Sequence, residues 1–289
     1  GSRGQAAGRS RGGFFLNLVP LGIYPIIKGL NVSDLIIEIQ DHICTLTINR
    51  ESKRNAFDDA LIIQLTQAFN EASHNALVRA ILLKAKGKHF SAGADIEWMQ
   101  RMAHFSFEDN LRDAKALANL MHTIYQCPKP TVVMAQGSTY GGGLGLIAAC
   151  DIAIAATNAQ FCFSEVQLGL IPAAISPFVV EAIGARAAKA LFMTAEVFDA
   201  EKALNLNLIH HCVEESKLLE CTLNYAKKLS TNAPQAVLSA KKLVQYVANK
   251  PIDTELTHYT ASLIAHKRVS AEGQKGLTSF LKKEKPNWS

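Results

Sequence analysis

"YGGGLGLIAACD", residues 140–151, decides how this chain is read. Three consecutive glycines run into an apolar, helix-like segment that carries no charge before Asp151. The stretch just before it, "PTVVMAQG" (130–137), reads as a buried strand ending in glycine. The whole is a strand, a glycine turn and a helix start. Glycine has no Cβ and lets the backbone approach a partner closely. A helix N-terminus adds N–H groups without intrahelical partners and a partial positive charge. The stretch therefore suits an anionic or polarised oxygen. It offers no side chain for chemistry, because Gly145 stands one turn in, where an acid would be useful. A tight strand-to-helix turn alone would also explain the triplet. "GSTYGGGLG" lacks the lysine of a phosphate-binding P-loop.

Outward from this point, strands and helices alternate. "DLIIEIQDHICTLTINR" (34–50) alternates apolar and polar residues around "QDH" and reads as a hairpin. Residues 55–75 and 107–128 have apolar residues at helical spacing, and the second helix is stopped by Pro128. "VRAILLKAKG" (78–87) is a buried strand. "CDIAIAATNAQFCFSE" (150–165) reads as two strands separated by "TNAQ". Residues 176–195 are helical, with Gly184 as an interruption, and 199–213 are a helix followed by a strand. From 215 onward only helix patterns occur: 215–230, 232–249, 252–267 and 269–283. The spacing predicts an α/β body of repeated strand–strand–helix units with an all-helical C-terminal region.

The 289 residues are 48% hydrophobic and 19% charged, an ordinary globular composition. No uninterrupted apolar run reaches the roughly 20 residues that span a bilayer. Residues 1–33 begin "GSRGQAAGRSRGG" and hold no acid. They read as a tag or an upstream extension, with a short signal or transit segment as the alternative, and the fold is argued without them. They supply Arg3, Arg9, Arg11 and Lys28 toward a net charge of +5. The remaining body is near neutral, which argues against a nucleic-acid-binding surface. The cysteines show no CxxC spacing and lie mostly in apolar runs. They read as buried thiols of a cytoplasmic protein rather than as a disulfide frame or zinc site. His210 and His211 lack a second ligand pair.

The ordered segments "NRESKRNAF", "HFSAGADI", "QGSTYGGGLGLIAACDIAIAA", "FSEVQLGLIPAAISP" and "EGQKGLTSFLKKEKP" resemble the enoyl-CoA hydratase/isomerase (crotonase) family over residues 35–288. The likeness implies a spiral of ββα units over 34–214 that holds an acyl-CoA site. It implies a helical region over 215–289 that mediates trimerisation, with trimers pairing into hexamers. Within the family the segments look most like bacterial members acting on branched or carboxylated acyl-CoAs. The methylglutaconyl-CoA hydratases of leucine breakdown are the nearest subtype. CoA enters as part of the substrate and no separate cofactor, nucleic acid or membrane is implied.

The resemblance also assigns roles. Chemistry at Cα and Cβ of an acyl-CoA puts negative charge on the thioester oxygen, and fixed N–H donors stabilise it; one donor is worth roughly 3–4 kcal/mol of barrier. The donors implied are the N–H groups of Ala94, in "FSAGADI", and Gly142. Lys53, Arg54, Ala92, Asp95, Ile96, Phe280 and Lys283 match the family's CoA contacts, the last two often made by a neighbouring subunit. Hydratases of the family use two glutamates. Here the first position is Gly145, and the second is Glu165 in "CFSEVQLG", whose apolar neighbours raise its pKa if it is partly buried. Three readings follow: a hydratase with Glu165 as its one glutamate, a Δ3,Δ2-enoyl-CoA isomerase, or a non-catalytic CoA-thioester binder. Asp95, Glu97 and Asp151 are further acids to weigh. Asp151 reads more as a partner of backbone groups. Tyr140, Trp98, Met102 and Phe105 are candidate pocket walls, and Arg101 or His104 a candidate clamp for a substrate carboxylate.

Overall fold

The computed structural model describes residues 34–288; the reading of residues 1–33 as a leader lies outside them. The chain opens on the expected hairpin. Strands β1 (Leu35–Gln40) and β2 (Ile43–Ile48) pair antiparallel, with Leu35 opposite Ile48. Asp41 and His42 make the turn at φ 50° and 64°. Two left-handed residues in succession give the turn whose twist matches the flanking strands. Asp58 caps α1 (Asp59–His74) by accepting from the Leu61 N–H, and Leu61, Ile62, Leu65 and Phe69 are its buried stripe. Then come β3 (Ala80–Ala85), α2 (Ile96–Met102), α3 (Phe107–Tyr125), β4 (Thr131–Ala135), β5 (Ser138–Tyr140) and α4 (Gly142–Ala149). They are followed by β6 (Ile152–Ala156), β7 (Gln160–Cys162), α5 (Ser176–Thr194), β8 (Phe198–Asp199), α6 (Ala200–Asn205) and β9 (His211–Val213). The C-terminal region is helical: α7 (Glu215–Thr231), α8 (Pro234–Val247), α9 (Thr254–Val269) and α10 (Ala271–Leu281).

A six-stranded sheet runs β1-β2-β3-β4-β6-β9 and is parallel after the hairpin; a three-stranded sheet runs β5-β7-β8. The β4–β5 and β6–β7 repeats each send their first strand to the large sheet and their second to the small one. That is why "TNAQ" does not close a hairpin: β6 pairs with β4 and β9, whereas β7 pairs with β5 and β8. In the β3 repeat the second strand shrinks to a bridge between Ser91 and Thr139. Parallel strands covered on both faces read as continuous apolar runs, as in "AILLKA". Leu46, Ile48, Ile81, Leu83, Val133 and Ala155 face the main core with α1, α3, α4 and α5. Ile43, Leu82, Val132 and Ile154 face α7 through Leu218 and Ala226. Gly184 breaks α5 as expected, with φ 77° and ψ 154°.

One buried cation ties the loops at the mouth of this body. The Arg50 side chain, 6% exposed, donates to the Ala56 carbonyl at 2.6 Å and to Asp58 Oδ2 at 2.6 Å. It reaches Asp95 Oδ2 at 3.2 Å and Asp34 Oδ2 at 3.2 Å. Asn55 adds its amide to the Lys86 and His89 carbonyls. Residues 50–58 are thereby laced to residues 86–95. Burial opposes ionisation of Asp95, but Lys53 and the amides of Glu97 and Trp98 outweigh it and hold its carboxyl below the usual range. Its contribution is present above the ordinary carboxylate pKa and is lost on acidification through the depressed value. Arg50→Ala leaves these carboxylates without their buried partner. It should lower stability by about 3–5 kcal/mol, read as a reduced urea midpoint at neutral pH.

Candidate active site

The loop between β3 and α2 lies zipped to β5. The Tyr140 N–H donates to the Ser91 carbonyl at 3.0 Å, and the Ser91 N–H to the Ser138 carbonyl at 3.3 Å. On its other side the loop bridges to Phe57: the Phe57 N–H donates to Gly93 O and the Asp95 N–H to Phe57 O, both at 2.7 Å. Successive residues of an extended chain point their amides to opposite sides. Ala94, between the two bonded residues, therefore points its N–H away from Phe57. Gly142 is the first residue of α4, where amides have no intrahelical acceptor. Among the described residues neither N–H has a protein acceptor. Gly141 makes the approach with φ 48° and ψ −125°, a conformation open to glycine.

Both amides belong to the wall of a cavity of about 620 Å³. Phe57, Trp98, Met102 and Leu117 form apolar walls, and the segment 169–175 closes the far side. Glu165 enters from the 3-10 turn that follows β7. Its Oε1 lies 3.2 Å from where a Cβ on Gly141 would stand. Its Oε2 is buried without a hydrogen-bond partner. Burial raises the Glu165 pKa, which favours a protonated carboxyl nearer neutral pH. Glu165, Ala94 and Gly142, singled out separately in the sequence, are thus brought to one cavity.

The remaining candidates fall elsewhere. Asp95 is the N-cap of α2, accepting from Glu97 and Trp98, and binds Arg50 and Lys53. Glu97 is 71% exposed and pairs with Lys53 at 2.8 Å, so neither reaches the cavity wall. Lys53 is accordingly engaged with two carboxylates, while Arg54 is an exposed left-handed residue whose carbonyl accepts from Ala92. Ala92 and Ile96 are exposed beside the mouth. Phe280 lies in the last turn of α10 and is 78% exposed; Lys283, just beyond the helix, has φ 60°. Asp151 accepts from the Thr131 amide and hydroxyl and from Lys241, the backbone-satisfying role anticipated for it. Arg101 pairs with Asp59 at 2.6 Å, and Arg101, His104, Phe105 and Tyr140 are not among the lining residues.

Two polar residues that sequence reading missed do line it. Asn110 and Asp113 project from α3, and Asp113 Oδ1 accepts from Trp98 Nε1 at 3.3 Å. On an amphipathic helix, "FEDNLRD" gives no local signal that one acid of several faces inward. Gly145 is not an open place. A Cβ there would lie 2.3 Å from Ile175 Cγ2 and 3.0 Å from Met121 Sδ. The cysteines are free, with Cys44, Cys127, Cys150 and Cys162 buried.

Residues 38–289 match the family model for enoyl-CoA hydratase/isomerase. A crystal structure from Legionella pneumophila, provisionally named an enoyl CoA hydratase/isomerase (crotonase), is 62% identical; the match covers 90% of this chain and all of that one, with a TM-score of 0.88. An enoyl-CoA hydratase structure from Shewanella pealeana is 42% identical over 89% of this chain and 96% of its own, with a TM-score of 0.85. A Thermus thermophilus protein provisionally named an enoyl-CoA hydratase is 30% identical over 247 residues, 86% of this chain and 97% of its own. The fold is that of the crotonases, a mostly parallel mixed sheet with a helical C-terminal region, and this chain belongs to the enoyl-CoA hydratase/isomerase family.

The packing at Gly145 is testable. Gly145→Ala should cost about 1–3 kcal/mol by overpacking. In the Ile175→Ala background that cost should shrink, giving a favourable coupling of roughly 1 kcal/mol or more in a double-mutant cycle of thermal unfolding.

Proposed function

We propose that the protein adds water to the α,β-double bond of an acyl-CoA thioester. The observation that carries this reading is the pair of acceptorless amides, Ala94 and Gly142, at residues that line the same cavity as Glu165. The thioester oxygen seats against the two N–H groups, and the charge it gains as water bonds to Cβ is stabilised there and by the α4 N-terminus. Glu165, half-buried and lacking a partner for its buried Oε2, delivers a proton to Cα. Protein groups and water supply every proton moved, and CoA enters within the substrate.

The apolar walls favour a short or branched acyl group. A carboxylated group of the glutaconyl type finds no support in Arg101, which is tied to Asp59. A second reading is favoured by the closed position at Gly145. A single glutamate suffices to move a double bond from the 3,4 to the 2,3 position, because one base removes and returns the same proton. Exposed Val244, Ile252, Val269, Leu277, Phe280 and Leu281 on and between α8, α9 and α10 support a self-assembled trimer or hexamer. No helix of the described residues is long and apolar enough to cross a membrane, and the free buried thiols support a cytoplasmic setting.

Crotonyl-CoA, 3-methylglutaconyl-CoA and a 3-enoyl-CoA, followed by conjugated enoyl absorbance, separate the readings. Hydration consumes the absorbance of the first two; isomerisation generates it from the third. Glu165→Gln should reduce turnover by about two to four orders of magnitude. A wild-type rate in that variant would remove Glu165 from the mechanism.

A further inference from the structure

The hydratase reading leaves one job unassigned. Water must lose a proton as its oxygen bonds to Cβ, and a carboxylate that has just protonated Cα cannot have been the free base as well. The second carboxylate cannot stand at Gly145, because Ile175 Cγ2 and Met121 Sδ fill the space a side chain would need. Among the residues that line the cavity, two are acidic: Glu165 and Asp113.

Asp113 is placed for the work. It projects from α3 one helical turn before Leu117, on the same face. Leu117 Cδ2 lies 3.9 Å from the position of a Cβ on Gly142, so this face of α3 flanks the amide that holds the thioester oxygen. Trp98, itself buried, donates its indole N–H to Asp113 Oδ1 and fixes the carboxyl while leaving its other oxygen unclaimed by that bond. We propose that Asp113 is the second catalytic carboxylate of this site, the base that takes the proton from the attacking water. This rests on the hydratase reading.

The step balances. The water oxygen bonds to Cβ and its proton passes to the Asp113 carboxylate. The π pair moves toward the thioester carbonyl, and the enolate takes the Glu165 proton at Cα. One water is consumed and no electron is gained or lost. The proton on Asp113 returns to Glu165 through solvent. Burial raises both acids, and their partners differ. Glu165 is raised by burial and has no partner for Oε2. Asp113 is also raised by burial, and the Trp98 indole, Arg101 of α2 and Arg112 of α3 pull it back toward ionisation, while Asp59 of α1 opposes them. The indole N–H donor favours the ionised form of Asp113, and Glu165 Oε2 has no such donor.

The test is Asp113→Asn, assayed on crotonyl-CoA with the full chain, alongside Asp113→Glu and a thermal melt of each. The expected result is a kcat lower by about 10²–10⁴-fold, with KM within about threefold of wild type. The acidic limb of the kcat/KM profile should disappear while the alkaline limb, set by Glu165, remains. Asp113→Glu, which keeps a carboxylate, should recover at least about tenfold over the Asn variant. An Asn variant with wild-type kcat and an intact acidic limb overturns the assignment, as does a loss confined to KM. In either case a slow Glu165→Gln enzyme would leave the hydratase reading standing. A wild-type protein that isomerises a 3-enoyl-CoA and hydrates nothing removes both.

Discussion

A buried guanidinium holds the mouth of this protein together. Arg50 gathers Asp34, Asp58, Asp95 and the Ala56 carbonyl around a side chain that water scarcely reaches. With the cation in place, Phe57 is fixed against the 93–95 turn, and the direction of the Ala94 amide follows from that bridge. A charge buried this deeply is tolerated because its donors are satisfied by carboxylates and a carbonyl, and removing it would leave anions with no partner. The site inherits its precision from this arrangement.

The cavity joins two free backbone amides to a carboxyl, and the backbone half asks little of the side chains. Two amides and a helix terminus need only a backbone path, and glycines 141 and 142 provide it. The neighbouring place where an acid would stand is filled by Ile175, a residue of the segment that closes the far side of the cavity. The absence of a side chain at Gly145 and the packing of Ile175 against it are therefore one structural fact. The other acid that lines the cavity, Asp113, comes from a different element, α3.

Much of the fold was legible before the tertiary structure. The hairpin, the long helices, the break at Gly184 and the four C-terminal helices have strong local signals: alternation, 3.6-residue stripes, Asp and Ser caps, and helix-stopping residues. The short strands were less legible. β5, β7 and β8 have three residues or fewer, too short for alternation to register, and their pairing in a separate sheet is a long-range event. Glu165 and the two amides were legible through their motifs. The inward-facing Asp113 was not, since helix α3 carries several acids and sequence spacing alone does not say which one meets Trp98.

By itself the sequence determined the order of elements, the glycine turns that bare the backbone, and the near-neutral charge of the body, because these depend on local conformational preference and on composition. The tertiary structure alone decided that Gly145 is closed, that Asp95, Glu97 and Lys53 satisfy one another, and that Asp113 shares a cavity with Glu165. Those outcomes depend on which distant side chains occupy the same few ångströms, and no local preference encodes that.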